Sequence, residues 1–142
     1  MRPLIIALTM LATGSLATAG PAHAVGSRCA AVAPRLTAAS RAADARLVEK
    51  ADPGQDVPPA GVTYILADRH WRIIWALPNN AERGVYFFRT KRAGGFRLVN
   101  TWGGILEPDA RADAIAFARS LKGGGPPPLL AGCFADALLA GK

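Results

Sequence analysis

Between Val62 and Trp102 the chain carries four short segments rich in Val, Ile, Tyr, Phe and Trp: Val62 to Leu66, Trp71 to Leu77, Val85 to Lys91, and Phe96 to Trp102. Turn-like stretches separate them, namely Ala67 to His70, Pro78-Asn79-Asn80 and Ala93-Gly94-Gly95. β-Branched and aromatic side chains suit a pleated, half-buried surface. Parallel neighbours would need a crossover of a dozen or more residues. Connections this short leave antiparallel pairing of consecutive strands, so the middle of the chain is expected to fold as a four-stranded meander.

Helical spacing flanks the meander on both sides. Val32, Leu36, Ala39, Ala43 and Leu47 form an apolar stripe through a helix expected over Pro34 to Ala51, while Arg35, Arg41, Asp44 and Glu49 fall off it. Pro34 suits a first turn, and Asp52-Pro53-Gly54 ends the run and opens a proline-rich connector to Ala60. After Gly103-Gly104 a second helix is expected, with Pro108 in its first turn and Glu107 and Asp109 at its positive end. Its stripe is Ala114, Phe117, Ala118 and Leu121, and Gly123 to Gly125 with Pro126 to Pro128 stop it. A last helix from Leu129 to Ala140 repeats Leu130, Phe134 and Leu138, with Cys133 beside them.

The order is that of an α+β fold: an N-terminal helix, a four-stranded antiparallel meander and two C-terminal helices, with the helices expected on one face of the sheet. From Pro34 to Trp102, a helix followed by a curved meander resembles in topology the cystatin-like and nuclear-transport-factor-like architectures. Architecture of this kind hosts many functions and names none.

Met1 to Ala24 reads as an export leader: Arg2, an apolar stretch from Leu4 to Ala12 extended to Leu16, then Ala22-His23-Ala24 as the small-x-small cleavage site. Residues 25–142 would then form a single small domain, periplasmic or secreted. No apolar run approaches the ~20 residues of a membrane span, so the chain is not expected to be an integral membrane protein. Cys29 and Cys133 are the only cysteines. In an oxidising compartment such a pair is most simply a disulfide, expected here to staple the C-terminal helix to the N-terminal one.

The formal charge is +7, and Arg2 belongs to the leader. Residues 25–68 and residues 98–142 are each balanced, so the whole excess lies between Arg69 and Arg97, where seven basic side chains face the single acid Glu82. Period-two reading places Trp71, Ile73, Trp75 and Leu77 on a core face, along with Phe96, Leu98, Asn100 and Trp102. With Tyr86 and Phe88 also inward, the opposite face collects Arg72, Arg89, Lys91 and Arg97 around Ile74, Phe87 and Val99. Such a basic face with an apolar centre is expected to bind an anionic envelope component or an acidic protein. The competing reading has one helix, or a second copy in a homodimer, covering it.

Chemistry-bearing motifs are sparse. His70 is the only histidine of the mature chain, and neither HExxH nor CxxC occurs, so no metal site and no cofactor are expected. Asp68 and His70 share a turn, yet Ser27, Ser40 and Ser120 lie in no GxSxG elbow. Export makes nucleic acid an unexpected partner. A non-enzymatic binding protein is therefore the first reading. The alternative is a small-ligand or enzymatic pocket between sheet and helices, lined by Tyr64, His70, Trp71, Trp75 and Trp102.

Overall fold

The β segments pair in chain order as one antiparallel sheet, β1 (Val62–Ala67), β2 (Trp71–Ala76), β3 (Gly84–Thr90) and β4 (Phe96–Gly103). The structure is a computed structural model that describes residues 27–103 and 110–142. Local chemistry makes the turns. Between β1 and β2, Asp68 Oδ1 accepts hydrogen bonds from the backbone N–H groups of His70 and Trp71, each at 2.7 Å, the arrangement of an Asx turn. In the β3–β4 hairpin Gly94 and Gly95 take φ values of +87° and +72°, a region open to glycine without steric cost.

The register fixes which side chains share a face. Ile73 lies opposite Phe87 and Trp75 opposite Val85, so Trp71, Ile73, Trp75, Val85, Phe87 and Arg89 point one way. Arg72, Ile74, Ala76, Tyr86 and Phe88 point the other. On β4, Phe88 pairs with Leu98 and Phe87 with Asn100, which leaves Val99 as an extra residue. This bulge inverts the alternation along β4. Asn100 and Trp102 therefore join the Trp71 face together with Arg97, whereas Phe96 and Leu98 join the Ile74 face.

Helices cover both faces, a correction to the one-sided layering expected above. The reason lies in β2 and β3, whose adjacent residues Ile73 and Ile74, and likewise Phe87 and Phe88, are all fully buried. Strands apolar on both sides need cover on both sides. One cluster joins the Ile74 face to α1 (Ala38–Ala51) through Ala45, Val48, Ile65, Tyr86 and Phe88. The other joins the Trp71 face to α2 (Arg111–Arg119) and α3 (Pro128–Leu139) through Ala114, Ala118, Leu130 and Phe134. Leu77, expected on the core face, lies just beyond β2 and is exposed.

The first helix starts at Ala38 rather than Pro34, because Thr37 and Ser40 form a capping box. The Ser40 N–H donates to Thr37 Oγ1 at 3.1 Å, and the Thr37 N–H to Ser40 Oγ at 2.9 Å. Its buried residues are Asp44, Ala45 and Val48, while Ala39 and Ala43 of the expected stripe are exposed. A hydrophobic pattern could not count Asp44 as inward-facing.

Cys29 and Cys133 are bridged, with Cα atoms 5.6 Å apart. Cys29 sits in a 3-10 turn, Ser27–Ala31, so the bridge ties that turn to α3 and not the two terminal helices to each other. The chain has to change faces between Cys29 and α1. It passes the edge of β1, where the Ala67 N–H donates to the Val32 carbonyl at 2.7 Å. Asp136 of α3 accepts from Arg28 at 3.1 Å and from Arg111 at 2.7 Å, locking the 3-10 turn and α2 onto α3. The leader Met1 to Ala24 and the expected helix start at Glu107, Pro108 and Asp109 lie outside the described residues. Among the described residues, no helix is long and apolar enough to cross a membrane.

Candidate binding site at the β3–β4 hairpin

The arginines of the expected basic face are not on one face. Arg72 lies beneath α1, where Nε and Nη2 donate to Asp44 Oδ1 and Oδ2 at 2.5 and 2.7 Å. Asp44 is only 2% exposed. This bidentate pair clamps α1 to the sheet and leaves Arg72 little to offer a partner. Arg89 is on the opposite face, its guanidinium 5.5 Å over the Trp71 ring and donating to the Gly123 carbonyl. Phe87 is fully buried, edge-on to Phe134 at 4.9 Å and Phe117 at 5.7 Å. The expected grouping fails for two physical reasons: β3 pairs with its Val85 and Phe87 side chains on the tryptophan side, and the Val99 bulge shifts β4 by one residue.

Tyr64, Trp71, Trp75 and Trp102 do share a sheet face, within or against one core cluster. They are packed against other rings: Tyr64 meets Trp75 at 5.2 Å, Trp75 meets Phe134 at 5.8 Å, and Trp102 meets Phe117 at 4.6 Å. The indole N–H groups of Trp75 and Trp102 are buried and have no hydrogen-bond partner among the described residues. His70 stands apart in the exposed β1–β2 turn. The Asp68 carboxylate that would orient it is committed to the turn's backbone amides. Ser40 is in the capping box, and Ser120 Oγ donates to the Phe117 carbonyl at 2.8 Å. Among the described residues no three His, Cys, Asp or Glu side chains gather as metal ligands would.

What the hairpin does build is an open groove of about 650 Å³ between the end of α1 and β4. Leu47 and Ala51 of α1 and Phe96 and Leu98 of β4 give it an apolar lining. Lys50 and Lys91 supply the charge, with Gly94 and Gly95 at the tip; Arg97 borders the groove, but its side chain stands on the opposite face of β4. Among the described residues, no acidic side chain lines the groove. Arg97 lies directly opposite Arg89 in the ladder, and both guanidinium groups approach Gly123. Like charges facing each other across strands are unfavourable. Arg89 is offset by the Gly123 carbonyl and the Trp71 ring, and Arg97 remains exposed with no hydrogen-bond partner among the described residues.

Sequence reasoning had singled out Lys91 and Arg97 but not Leu47, Lys50, Ala51, Phe96 and Leu98. The α1 contribution is forty or more positions from the groove residues of the hairpin, and only the fold brings the two together.

A second depression, of about 290 Å³, lies among Arg28, Arg111, Arg119, Ile115, Pro128, Leu129 and Gly132. Two of its three arginines are already held by Asp136. Burial raises the pKa of that carboxyl, but the hydrogen bonds and charges of Arg111 and Arg28 more than reverse this, so it lies below the ordinary carboxylate value. Two of the cations of this depression share one carboxylate, whereas Lys50 and Lys91 of the hairpin groove have no ion pair among the described residues. No protein-family model matches the chain, and comparison with curated proteins and with solved structures finds nothing similar.

Proposed function

We propose that the protein is an exported, non-catalytic binding domain that takes an acidic partner at the hairpin end of its sheet, over the groove between α1 and β4. The observation that carries this reading is the make-up of the hairpin end: an apolar groove with Lys50 and Lys91 on one face of β4, Arg97 on the other, and no acidic side chain in the groove among the described residues. The same hairpin lies within the one segment that holds the net charge, and Arg92 adds a further exposed cation at its tip. A surface of one sign concentrates partners of the other. Export is supported by the leader-like sequence of Met1 to Ala24 and by the Cys29–Cys133 bridge, a bond that persists in oxidising compartments.

The test uses the mature protein and poly-L-glutamate as an acidic probe. Changing Lys91, Arg92 and Arg97 together to Gln should weaken binding about tenfold at low salt, at a few tenths to 1 kcal/mol per exposed charge. It should also flatten the salt dependence. The control is Arg35→Gln with Arg119→Gln, two exposed arginines remote from the hairpin in sequence and outside its groove. Losses in proportion to the charges removed, three against two, would make the binding a property of net charge and remove the hairpin from the account.

A further inference from the structure

Resting on that reading, we infer that the acidic partner is an extended peptide segment that adds to β4 as a fifth strand, with alternate side chains apolar and acidic. The two outer strands of the sheet differ in how their edges are treated. On β1, the Val62 carbonyl accepts from the Arg41 guanidinium and the Ala67 N–H donates to the Val32 carbonyl, so groups from outside the sheet occupy both ends. On β4, among the described residues, hydrogen bonds beyond the β3 ladder come to one strand N–H, that of Thr101, which donates to Asn100 Oδ1 of the same strand at 2.9 Å. An eight-residue strand whose edge no described residue covers is a template for another chain. A lipid or a polysaccharide cannot complement a row of backbone donors and acceptors as a strand does.

The side chains beside that edge specify which strand fits. On the α1 side of β4 the groove offers Leu47, Ala51, Phe96 and Leu98, with Lys50 and Lys91 beside them. On the other side stands Arg97, in register with Arg89. Side chains of an added strand alternate between these two environments. Apolar residues would enter the groove, and acidic ones would face Arg97, with flanking acids reaching Lys50 and Lys91. A second copy of this chain is a poor occupant, because its own β4, Phe96–Gly103, carries no acidic side chain to meet Arg97, Lys50 and Lys91. An acidic strand is complementary to them.

The experiment compares four probes against the mature protein: an eight-residue peptide alternating Glu and Val, the same peptide N-methylated at every second residue, poly-L-glutamate, and phosphatidylglycerol vesicles. The alternating peptide should bind at least about tenfold more tightly than its N-methylated form, since methylation removes the backbone donors that strand addition uses. It should also slow amide hydrogen exchange in β4 and not in β1. Lys50→Gln with Lys91→Gln, both at exposed positions, should weaken it without altering the melting temperature. Equal binding of the two peptides, or preference for vesicles, would overturn strand addition while leaving an anionic partner in place. Failure of every anionic probe would overturn the proposed function as well.

Discussion

Removal of Arg72 tests whether this arginine serves the fold or a partner. In Arg72→Gln the Asp44 carboxylate, 2% exposed, loses charge-assisted hydrogen bonds of 2.5 and 2.7 Å and remains buried beneath α1. Breaking a buried pair by removing one partner costs about 3–5 kcal/mol. The Arg72 side chain is 21% exposed, so water enters at that end, and the lower half of the range, about 3–4 kcal/mol, is expected. For a domain of this size that lowers the melting temperature by about 10–15 °C. Urea unfolding followed by far-UV circular dichroism should show the midpoint fall with an unchanged slope, whereas Arg97→Gln should stay within about 0.5 kcal/mol of the parent. Replacing both partners, Asp44→Leu with Arg72→Met, should recover most of the loss, because no stranded charge remains. Binding of Arg72→Gln to poly-L-glutamate, measured well below its melting temperature, should match the parent. An Arg72→Gln protein of parental stability that no longer binds would refute the assignment of this residue to the fold.

Three further outcomes follow from the same contacts. Reduction of Cys29–Cys133, which spans 104 positions, should cost about 4–5 kcal/mol by chain-entropy arithmetic. Differential scanning calorimetry with and without reductant reads this directly, and two freely alkylated thiols in the native, unreduced protein would contradict the bridge. Asp136 has a folded pKa below its ordinary value of 3.8, so its contribution is complete above that value and is lost as the pH falls through the folded pKa. Asp136→Asn should therefore be less stable than the parent at neutral pH, with the gap narrowing as the pH falls below the ordinary value of 3.8; a constant gap would show that the carboxylate's charge is not the source. In Gly125→Ala the new methyl group would run into the Ala118 carbonyl and within 2.6 Å of the Arg119 Cα. Forcing this backbone apart should cost about 2–3 kcal/mol or more, and a neutral midpoint in urea would show that the α2–α3 turn yields freely.

Parts of this structure were legible in the sequence to the extent that a single local property decided them. The strands lie within a residue or so of their expected limits, since β-rich runs with short turns admit one pairing. The C-terminal helices place Ala114, Ala118, Leu130 and Phe134 in the core as their spacing implied. The faces of the sheet were harder to read, because Val99 is an inserted residue with no local signature and everything before it on β4 changes side. The run Trp71 to Ala76 held a clue to two-sided burial, for Ile73 and Ile74 are consecutive and both apolar. The cap is made by Thr37 and Ser40, whereas Pro34 alone set the expected helix start four residues before Ala38. Asp44 was not readable as core, since only its partner Arg72, twenty-eight positions on, makes its burial tolerable.

The arginines show why a charge map of the sequence cannot locate a binding surface by itself. Seven basic residues lie between Arg69 and Arg97, but the fold puts several of them to internal use. Arg72 neutralises a buried carboxylate, Arg89 hydrogen-bonds the Gly123 carbonyl across the Trp71 ring, and Arg83 reaches the Gly141 carbonyl at 3.2 Å. A cation with an internal acceptor has already exchanged water for protein, and an anion must displace that acceptor before it can bind. Lys91, Arg92 and Arg97 are exposed, with no side-chain hydrogen bond or ion pair among the described residues. Their ammonium and guanidinium groups therefore keep their full attraction for an acid, diminished only by salt. Those three residues sit at an end of the sheet where an apolar groove meets a strand edge that no described residue covers. An acidic chain docking there would meet unspent charge, apolar surface and backbone donors and acceptors together, whereas at Arg72 it would have to compete with Asp44.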